Sequence, residues 1–179
     1  MEKKKTVIKK LAYAAMCVAL AMVLPFLTGQ IPEIGKSLQP MHIAVLLAGF
    51  VCGWQYGAVV GLVSPLLRSL IFSTPKLYPD AIVMTFELAA YGLLAGLLYK
   101  LLPKKTGYIY VSLIGAMLGG RLVWGITKYI VLGIKGTAFP MSAFIAGGFV
   151  NALPGIILQI VLVPLIVMGL KKAKLMLNE

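Results

Sequence analysis

The chain has 179 residues, of which 60% are hydrophobic, and its mean hydropathy is +0.96. A water-soluble domain of this length would not bury so much apolar surface, so the composition excludes a soluble globular protein and indicates an integral membrane protein. The formal net charge of +12 is also typical of nucleic-acid-binding proteins, but the lysines lie in short clusters beside apolar segments, which is the pattern of membrane topology. We therefore expect a surrounding lipid bilayer and no nucleic acid.

Six hydrophobic segments follow one another along the chain. Their predicted ranges are 7–27, 41–52, 54–72, 80–102, 108–132 and 141–170. A helix needs about 20 apolar residues to cross a bilayer, so we expect the second segment to be tilted or to stop short of a full crossing. Asp80 is a candidate N-cap for the fourth. The sequence predicts an all-α fold, an integral membrane bundle of six transmembrane helices in a single domain of residues 1–179.

Lysines are distributed unequally between the two sides of this predicted bundle. Six spans place both termini on one side, and eleven lysines fall there: Lys3, Lys4, Lys5, Lys9, Lys10, Lys100, Lys104, Lys105, Lys171, Lys172 and Lys174. The opposite loops contain only Lys36, Lys76 and Lys135. The positive-inside rule therefore predicts a multi-pass protein of the cell membrane with both termini cytoplasmic. The basic start of the first segment is not followed by a small-x-small cleavage pattern, so we expect this segment to be retained as a helix.

Charged and polar residues interrupt several of the apolar segments. These residues are His42, Arg68, Glu87, Arg121, Lys128 and Asn151. Because a helix rises about 1.5 Å per residue, the position of each residue in its segment gives its depth, and all of them fall in the outer half of the bundle or near its midplane. Gln159 lies deeper. Charged groups inside a membrane usually mark a binding site or a pathway, so we predict a pocket open to the outside, with Tyr91 and Trp124 as candidate aromatic walls.

Structural ion pairing is the alternative explanation, in which Glu87 neutralises Arg68 or Arg121. Three cations face one carboxylate at this level, and a surplus buried cation requires an anion or water. Lys128 is long enough to reach the interface, and His42 near a helix start is equally suited to capping. We therefore predict an anionic ligand, with Arg121 as its leading contact and Glu87 as an orienting group.

No catalytic or metal-binding arrangement can be assembled from the sequence. The chain has a single histidine, and its two cysteines, Cys17 and Cys52, lack metal-ligand spacing. It has no nucleophile–base pair, no phosphate-binding glycine loop and no ATP-binding motif. We expect no enzyme activity, no cofactor and no metal. ATP-driven transport would require other chains to supply the motor.

The first two segments contain patterns that are found together in one transporter family. The first helix contains Ala15-Met16-Cys17-Val18-Ala19, an AxxxA motif, and Ala12 lies near the same face. The apolar segment 41–50 is followed by Gly53 and a glycine-containing start of the next helix. In a chain of this length, with six predicted spans and basic cytoplasmic ends, these features resemble the substrate-binding S components of energy-coupling factor (ECF) vitamin transporters. The similarity covers essentially the whole chain.

The resemblance implies high-affinity capture of a vitamin or related micronutrient and ATP-driven uptake through separate subunits. The first three helices would dock, through Ala12, Ala15 and Ala19, on a transmembrane scaffold subunit driven by two ATPase subunits. The loop of residues 30–40 resembles the gate of the family. The outer ends of the last three helices would form much of the site, and in this chain they carry Glu87, Tyr91, Arg121, Trp124, Lys128 and Asn151. Arg68 and His42 complete the candidate substrate-binding set.

The ligand is predicted from the surplus of Arg and Lys, which favours a carboxylate or phosphate because arginine binds such groups with a fork of N–H donors. Pantothenate is the best-fitting small carboxylate, whereas riboflavin, pyridoxine-type compounds and cobalamin precursors stay open. The main rival interpretation is a stand-alone proton-coupled carrier of a small molecule that uses Glu87 as its proton site. No inverted repeat in the sequence supports that rival.

Overall fold

The structure is a computed structural model that describes residues 2–28, 37–134 and 136–178. Within those ranges the chain is helical and contains no strand. The helices there are α1 (Glu2–Val23), α2 (Pro40–Cys52), α3 (Trp54–Phe72), α4 (Ile82–Leu101), α5 (Thr106–Gly133), α6 (Met141–Ile145) and α7 (Leu153–Lys172). A 3-10 turn, Leu24–Thr28, extends α1, and π-helical turns lie before α4 at Leu77–Ala81 and after α6 at Ala146–Val150. Most of the predicted gate, residues 30–40, lies outside the described residues.

Five helical stretches in the described part of the chain are long and apolar enough to cross a membrane. They are Lys4–Leu27, Trp54–Phe72, Leu77–Leu101, Thr106–Gly133 and Leu153–Lys172. Two further apolar stretches, Pro40–Cys52 and Met141–Val150, are shorter. The predicted all-helical membrane architecture is confirmed, but the predicted count of six transmembrane helices is not, because five stretches are long enough to cross and the sixth segment is divided. The second segment is short, as expected.

The sixth predicted segment, residues 141–170, is not one continuous helix. A turn at 151–152 separates the π-helical turn from α7. Pro154 lies in the first turn of α7, where a backbone N–H would have no hydrogen-bond partner within the helix, so its absence in proline costs little. Within a continuous helix the proline ring would clash with the carbonyl four residues earlier. Gly147 and Gly148 weaken the helical preference of the same stretch. The chain therefore breaks here and starts a new helix.

The start of α4 also differs from the sequence-based expectation. The prediction that Asp80 caps this helix is wrong, because Ala81 occupies the N-cap position and makes no side-chain capping bond. Asp80 lies instead in the π-helical turn that precedes α4. Asp80 borders a cavity at this end of the bundle.

α2 lies at the centre of the bundle. Every residue of α2 after Pro40 is buried, and α1, α3, α4 and α7 pack around it. Glycines allow the helices to approach closely. A side chain on Gly92 of α4 would collide with the backbone of Gly57 in α3, and one on Gly49 of α2 would collide with the carbonyl of Gly92. Small residues permit such contacts between membrane helices.

The C-terminal end of α2 receives further hydrogen bonds from a distant segment, beyond the local bond from the Gly53 N–H to the Gly49 carbonyl. The 13 residues of α2 give it a length of about 20 Å, against a hydrocarbon core of about 30 Å, so its last carbonyl groups need partners within the protein. The segment after α7 folds back onto this end and supplies them. The backbone N–H of Leu177 donates to the Val51 carbonyl at 2.9 Å. The side-chain amide of Asn178 donates to the carbonyls of Gly96, at 3.0 Å, and Gly49, at 3.4 Å.

We expect Asn178→Ala to lower the free energy of unfolding by about 1–2 kcal/mol, because it removes a buried donor shared by two carbonyl groups. Thermal unfolding of the purified protein in a single detergent measures the effect. Lys172→Ala, at an exposed position of α7, is the matched control and should leave the midpoint unchanged. Equal midpoints for Asn178→Ala and the wild type would contradict the capping role.

Candidate functional site

One end of the bundle contains a cavity of roughly 610 Å³. The turn after α1, the end of α3, the starts of α2 and α4, the second half of α5 and the π-helical turn after α6 form its wall. The volume lies within the range of about 300–1,000 Å³ that is usual for small-molecule sites. Both π-helical turns border the cavity, through Asp80 and Gly147, and such turns are frequent at functional sites.

Most of the candidate binding residues from the sequence lie in this wall. They are His42, Arg68, Glu87, Arg121, Trp124, Lys128 and Asn151. Tyr91 does not line the cavity. Its fully buried ring packs edge-on against the imidazole of His42, with the ring centroids 4.9 Å apart. The structure therefore brings residues from α2 to α5 and the region after α6 together, while their roles in ligand binding stay predictions.

Other residues of the wall were not predicted from the sequence. They include Gln39, Lys76, Asp80 and Met84. The prolines between α3 and α4 are typical of a loop, but they do not indicate that Lys76 and Asp80 border the site. Gln39 stands beside Pro40 and outside any periodic segment, so the sequence carries no signal for its position.

A buried ion pair forms the centre of the polar network. Arg121 Nη1 donates to Glu87 Oε1 at 2.8 Å, and both side chains are at most 3% exposed. Arg121 Nη2 donates to Gln39 Oε1, which also accepts a hydrogen bond from Gln159 Nε2 at 3.4 Å. Gln159, which the sequence placed deeper than the other polar residues, therefore joins the network. A buried charge must be paired and hydrogen-bonded, and these contacts explain how the apolar segments tolerate Glu87 and Arg121.

The terminal nitrogens of Arg121 are therefore both used by the protein itself. Of its side-chain nitrogens, Nε has no hydrogen-bond partner among the described residues. The two terminal nitrogens that would bind a ligand carboxylate together already donate hydrogen bonds to Glu87 and Gln39. The leading-contact role that the sequence indicated for Arg121 stays a prediction.

Gln39 is held in a strained conformation beside the cavity. Its φ of 51° and ψ of 52° lie in the left-handed region, which costs about 1–2 kcal/mol for a residue with a Cβ atom. Arg121 fixes its side chain. Its chain neighbours pack against Gly155 of α7, where a side chain would collide with the carbonyls of Ser37 and Leu38. Strain of this kind is common at functional sites, where the surrounding structure maintains it.

Arg68 lies in a different electrostatic environment. It is 2% exposed, and its guanidinium carbon lies 5.4 Å from the ring centroid of Phe26 and 5.1 Å from that of Phe72. Its Nη1 donates to the Met22 carbonyl at 2.6 Å. The aromatic faces and the carbonyl attract the cation but carry no net negative charge. Among the described residues no carboxylate pairs with Arg68, so a buried positive charge borders the cavity without a counter-ion there.

His42 has hydrogen-bonding capacity that the described residues do not use. Its Nε2 lies 3.2 Å from Glu87 Oε1, but this contact lacks hydrogen-bond geometry. Both ring nitrogens are without a hydrogen-bond partner in the part of the chain that the structure describes. The side chain is 3% exposed and borders the cavity. Buried polar groups of folded proteins are nearly always hydrogen-bonded, so His42 is an exception that calls for an explanation.

The remaining wall adds aromatic surface and positive charge. Lys128 Nζ lies 5.0 Å from the ring centroid of Trp124, and Trp124 in turn packs against Phe139 and Phe144. The described cavity-lining residues contain four cations and two carboxylates, a surplus of two positive charges with His42 neutral: Arg68, Lys76, Arg121 and Lys128 against Asp80 and Glu87. The wall as a whole is therefore electropositive.

Comparison with known proteins gives one family. The sequence model of the family described as "ECF transporter, substrate-specific component" matches residues 9–167, from α1 to α7. Neither a curated protein nor a solved structure matches the chain significantly. Proteins of this family bind the transported substrate, act with scaffold and ATPase subunits, and are not enzymes. The chain therefore belongs to the ECF transporter substrate-specific component family, as a multi-pass membrane protein that captures a vitamin or related micronutrient for uptake.

Proposed function

We propose that the cavity binds a small anionic vitamin, with pantothenate as the best candidate. The observation that carries this proposal is Arg68, a buried guanidinium on the cavity wall with no counter-ion among the described residues. A cation in such surroundings requires an anion or water, because its desolvation is otherwise uncompensated. Arginine also has the geometry to bind a carboxylate or a phosphate through two N–H groups.

The other wall residues support this role in different ways. Lys76 and Lys128 add positive charge, which raises the local concentration of an anion and its rate of entry. Arg121 and Glu87 position the wall by joining α4 to α5. Aromatic and polar contacts would come from Trp124, Asn151 and His42. The ring of Tyr91 packs edge-on against the imidazole of His42 and holds it in position.

Removing the charge of Arg68 tests the proposal. Arg68→Met keeps an unbranched side chain between the two Phe rings, and we expect it to weaken pantothenate binding by well over tenfold, because losing one partner of a buried charged contact costs about 2–5 kcal/mol. Isothermal titration with the purified protein measures the affinity. Lys105→Met, an exposed cation outside the cavity wall, is the control.

Arg121→Met separates the two arginines in the same experiment. This variant leaves Glu87 buried without Arg121 as its partner. We therefore expect the free energy of unfolding, measured without ligand, to fall by about 3–5 kcal/mol. Normal anion binding by Arg68→Met, or binding of a neutral vitamin in place of every anionic one, would contradict an anionic ligand at Arg68.

We also propose that the exposed small residues of α1 dock on the scaffold subunit, which in turn carries two ATPase subunits. Ala12, Ala15 and Ala19 are exposed, whereas Ala14 and Cys17 of the same helix face the bundle. Small side chains give a smooth face on which another helix can pack closely. The family membership supports the need for such a face, since the ATP-driven motor lies in other chains.

Ala15→Trp should abolish uptake while leaving ligand binding by the isolated protein unchanged, because it enlarges the docking face and not the cavity. Copurification with scaffold and ATPase subunits, uptake by reconstituted vesicles and titration of the isolated protein measure the three properties. Val111→Trp, at an exposed position of α5, is the matched control and should assemble normally. Loss of ligand binding with intact assembly would contradict docking through this face.

We propose six membrane passages in one domain, residues 1–179, with α2 as the short second passage and both termini cytoplasmic. The lysine asymmetry supports this orientation. Lys171 at the end of α7 donates to the Lys104 carbonyl, so two of the basic clusters meet at one end of the bundle. The cavity lies at the opposite ends of α4 and α5, which would face outward.

Cysteine labelling checks the orientation. Lys76→Cys should react with a membrane-impermeant maleimide added to intact cells, whereas Lys105→Cys should react only after permeabilisation; both native positions are exposed. The two native cysteines are buried and should give little background. Labelling of Lys105→Cys but not of Lys76→Cys in intact cells would invert the proposed topology.

A further inference from the structure

Part of the cavity wall has unused hydrogen-bonding groups that are distinct from its unpaired charge. Both ring nitrogens of His42 and the Nε of Arg121 have no hydrogen-bond partner among the described residues. Both side chains are 3% exposed, and both line the cavity. Unsatisfied donors and acceptors in such buried places are costly, so they mark positions where a bound molecule would supply the missing partners.

The surroundings of these atoms favour a neutral partner. Glu87 is the carboxylate beside His42, and it already accepts a hydrogen bond from Arg121, so this ion pair is neutral as a whole. A neutral imidazole offers one donor and one acceptor, and the guanidinium Nε offers one donor. A hydroxyl or an amide can match this set, since each both donates and accepts. A second anion would meet the carboxylate of Glu87.

The wall also contains apolar surface. Met41, Val83 and Met84 line the cavity together with the two polar regions, and none of these three side chains offers a strong hydrogen-bonding group. Arg68 belongs to α3, whereas His42 and Arg121 belong to α2 and α5. The described part of the wall therefore combines three chemistries: a cation without a counter-ion there, an apolar surface, and a hydrogen-bonding region whose charges balance.

We propose that the ligand is bipartite, with its anionic group at Arg68, an apolar spacer, and a hydroxyl or amide group at His42 and the Nε of Arg121. This inference rests on the proposed anionic ligand and adds a specificity-determining residue, His42. A vitamin that carries a carboxylate but no neutral hydrogen-bonding group supplies no partner for the buried nitrogens of His42, which also lack one among the described residues. Sites built around such polar groups discriminate strongly against molecules that lack the matching group.

Four vitamins separate the two features of the ligand. Pantothenate and biotin combine a carboxylate with neutral hydrogen-bonding groups, lipoate has a carboxylate on an apolar chain, and riboflavin has neutral polar groups without an anion. Titration of the purified wild-type protein should give at least tenfold tighter binding of pantothenate or biotin than of lipoate, a ratio that corresponds to about one or two buried hydrogen bonds.

Two variants of His42 then test its role. His42→Phe keeps a ring against Tyr91 and removes both ring nitrogens. Whichever of pantothenate and biotin binds the wild type more tightly should bind this variant about three- to tenfold more weakly, while the affinity for lipoate stays unchanged. His42→Asn keeps a donor and an acceptor and should retain most of the discrimination. Because the ratio of two affinities is measured on the same sample, a partial loss of folded protein does not affect it.

The outcomes distinguish this inference from the function on which it rests. Equal binding of lipoate and the bipartite vitamins, or an equal loss of both in His42→Phe, would overturn the bipartite ligand and leave an anionic ligand intact. Binding of riboflavin without any of the anions would contradict the anionic ligand and, with it, the role of His42. Binding of none of the four would contradict pantothenate, the candidate on which this inference rests.

Discussion

The ion pair between Arg121 and Glu87 is the interaction on which the organisation of the cavity depends. It joins α4 to α5, and through Gln39 it also fixes the start of α2. Two opposite charges in a low-dielectric environment have few acceptable arrangements, because any displacement leaves a charge unpaired. The three helices are therefore held in one relative position before a ligand arrives. A site ordered during folding has less conformational entropy to lose when it binds.

The two arginines of the chain show how surroundings decide the role of one residue type. Arg121 has a carboxylate and an amide oxygen at its terminal nitrogens, and its charge is balanced within the protein. Arg68 has two aromatic rings and a carbonyl, which hold the guanidinium in place without cancelling its charge. In a membrane protein a charge that is balanced by the protein itself stabilises the fold, whereas a charge without a counter-ion among the described residues is of the kind that usually marks a binding site.

Much of the fold follows from the sequence because lipid requires every backbone polar group to be satisfied within the protein, which leaves helices as the natural choice for long apolar segments. The hydropathy pattern therefore predicted the range of α3. The depths calculated from the rise per residue of a helix placed at one level several residues that line one cavity. The choice of Arg121 over Arg68 as the partner of Glu87 depends on how each helix is rotated about its axis, which depth alone does not specify. Gln39 joins the hydrogen-bond network of Arg121 from a chain segment that approaches α7 closely, which the absence of a side chain at Gly155 allows.

The return of the chain to the end of α2 has a consequence for biogenesis. Asn178 follows Gly49, whose carbonyl it binds, by 129 positions. At a synthesis rate of about 5–20 residues per second, on the order of ten seconds pass between the translation of the two residues. During this interval the Val51 carbonyl lacks the partner that Leu177 later supplies, whereas the Gly49 carbonyl already accepts a hydrogen bond from the nearby Gly53 N–H. The central helix of the bundle is thus inserted early but can settle into its final environment only after α7 and the residues beyond it have been made.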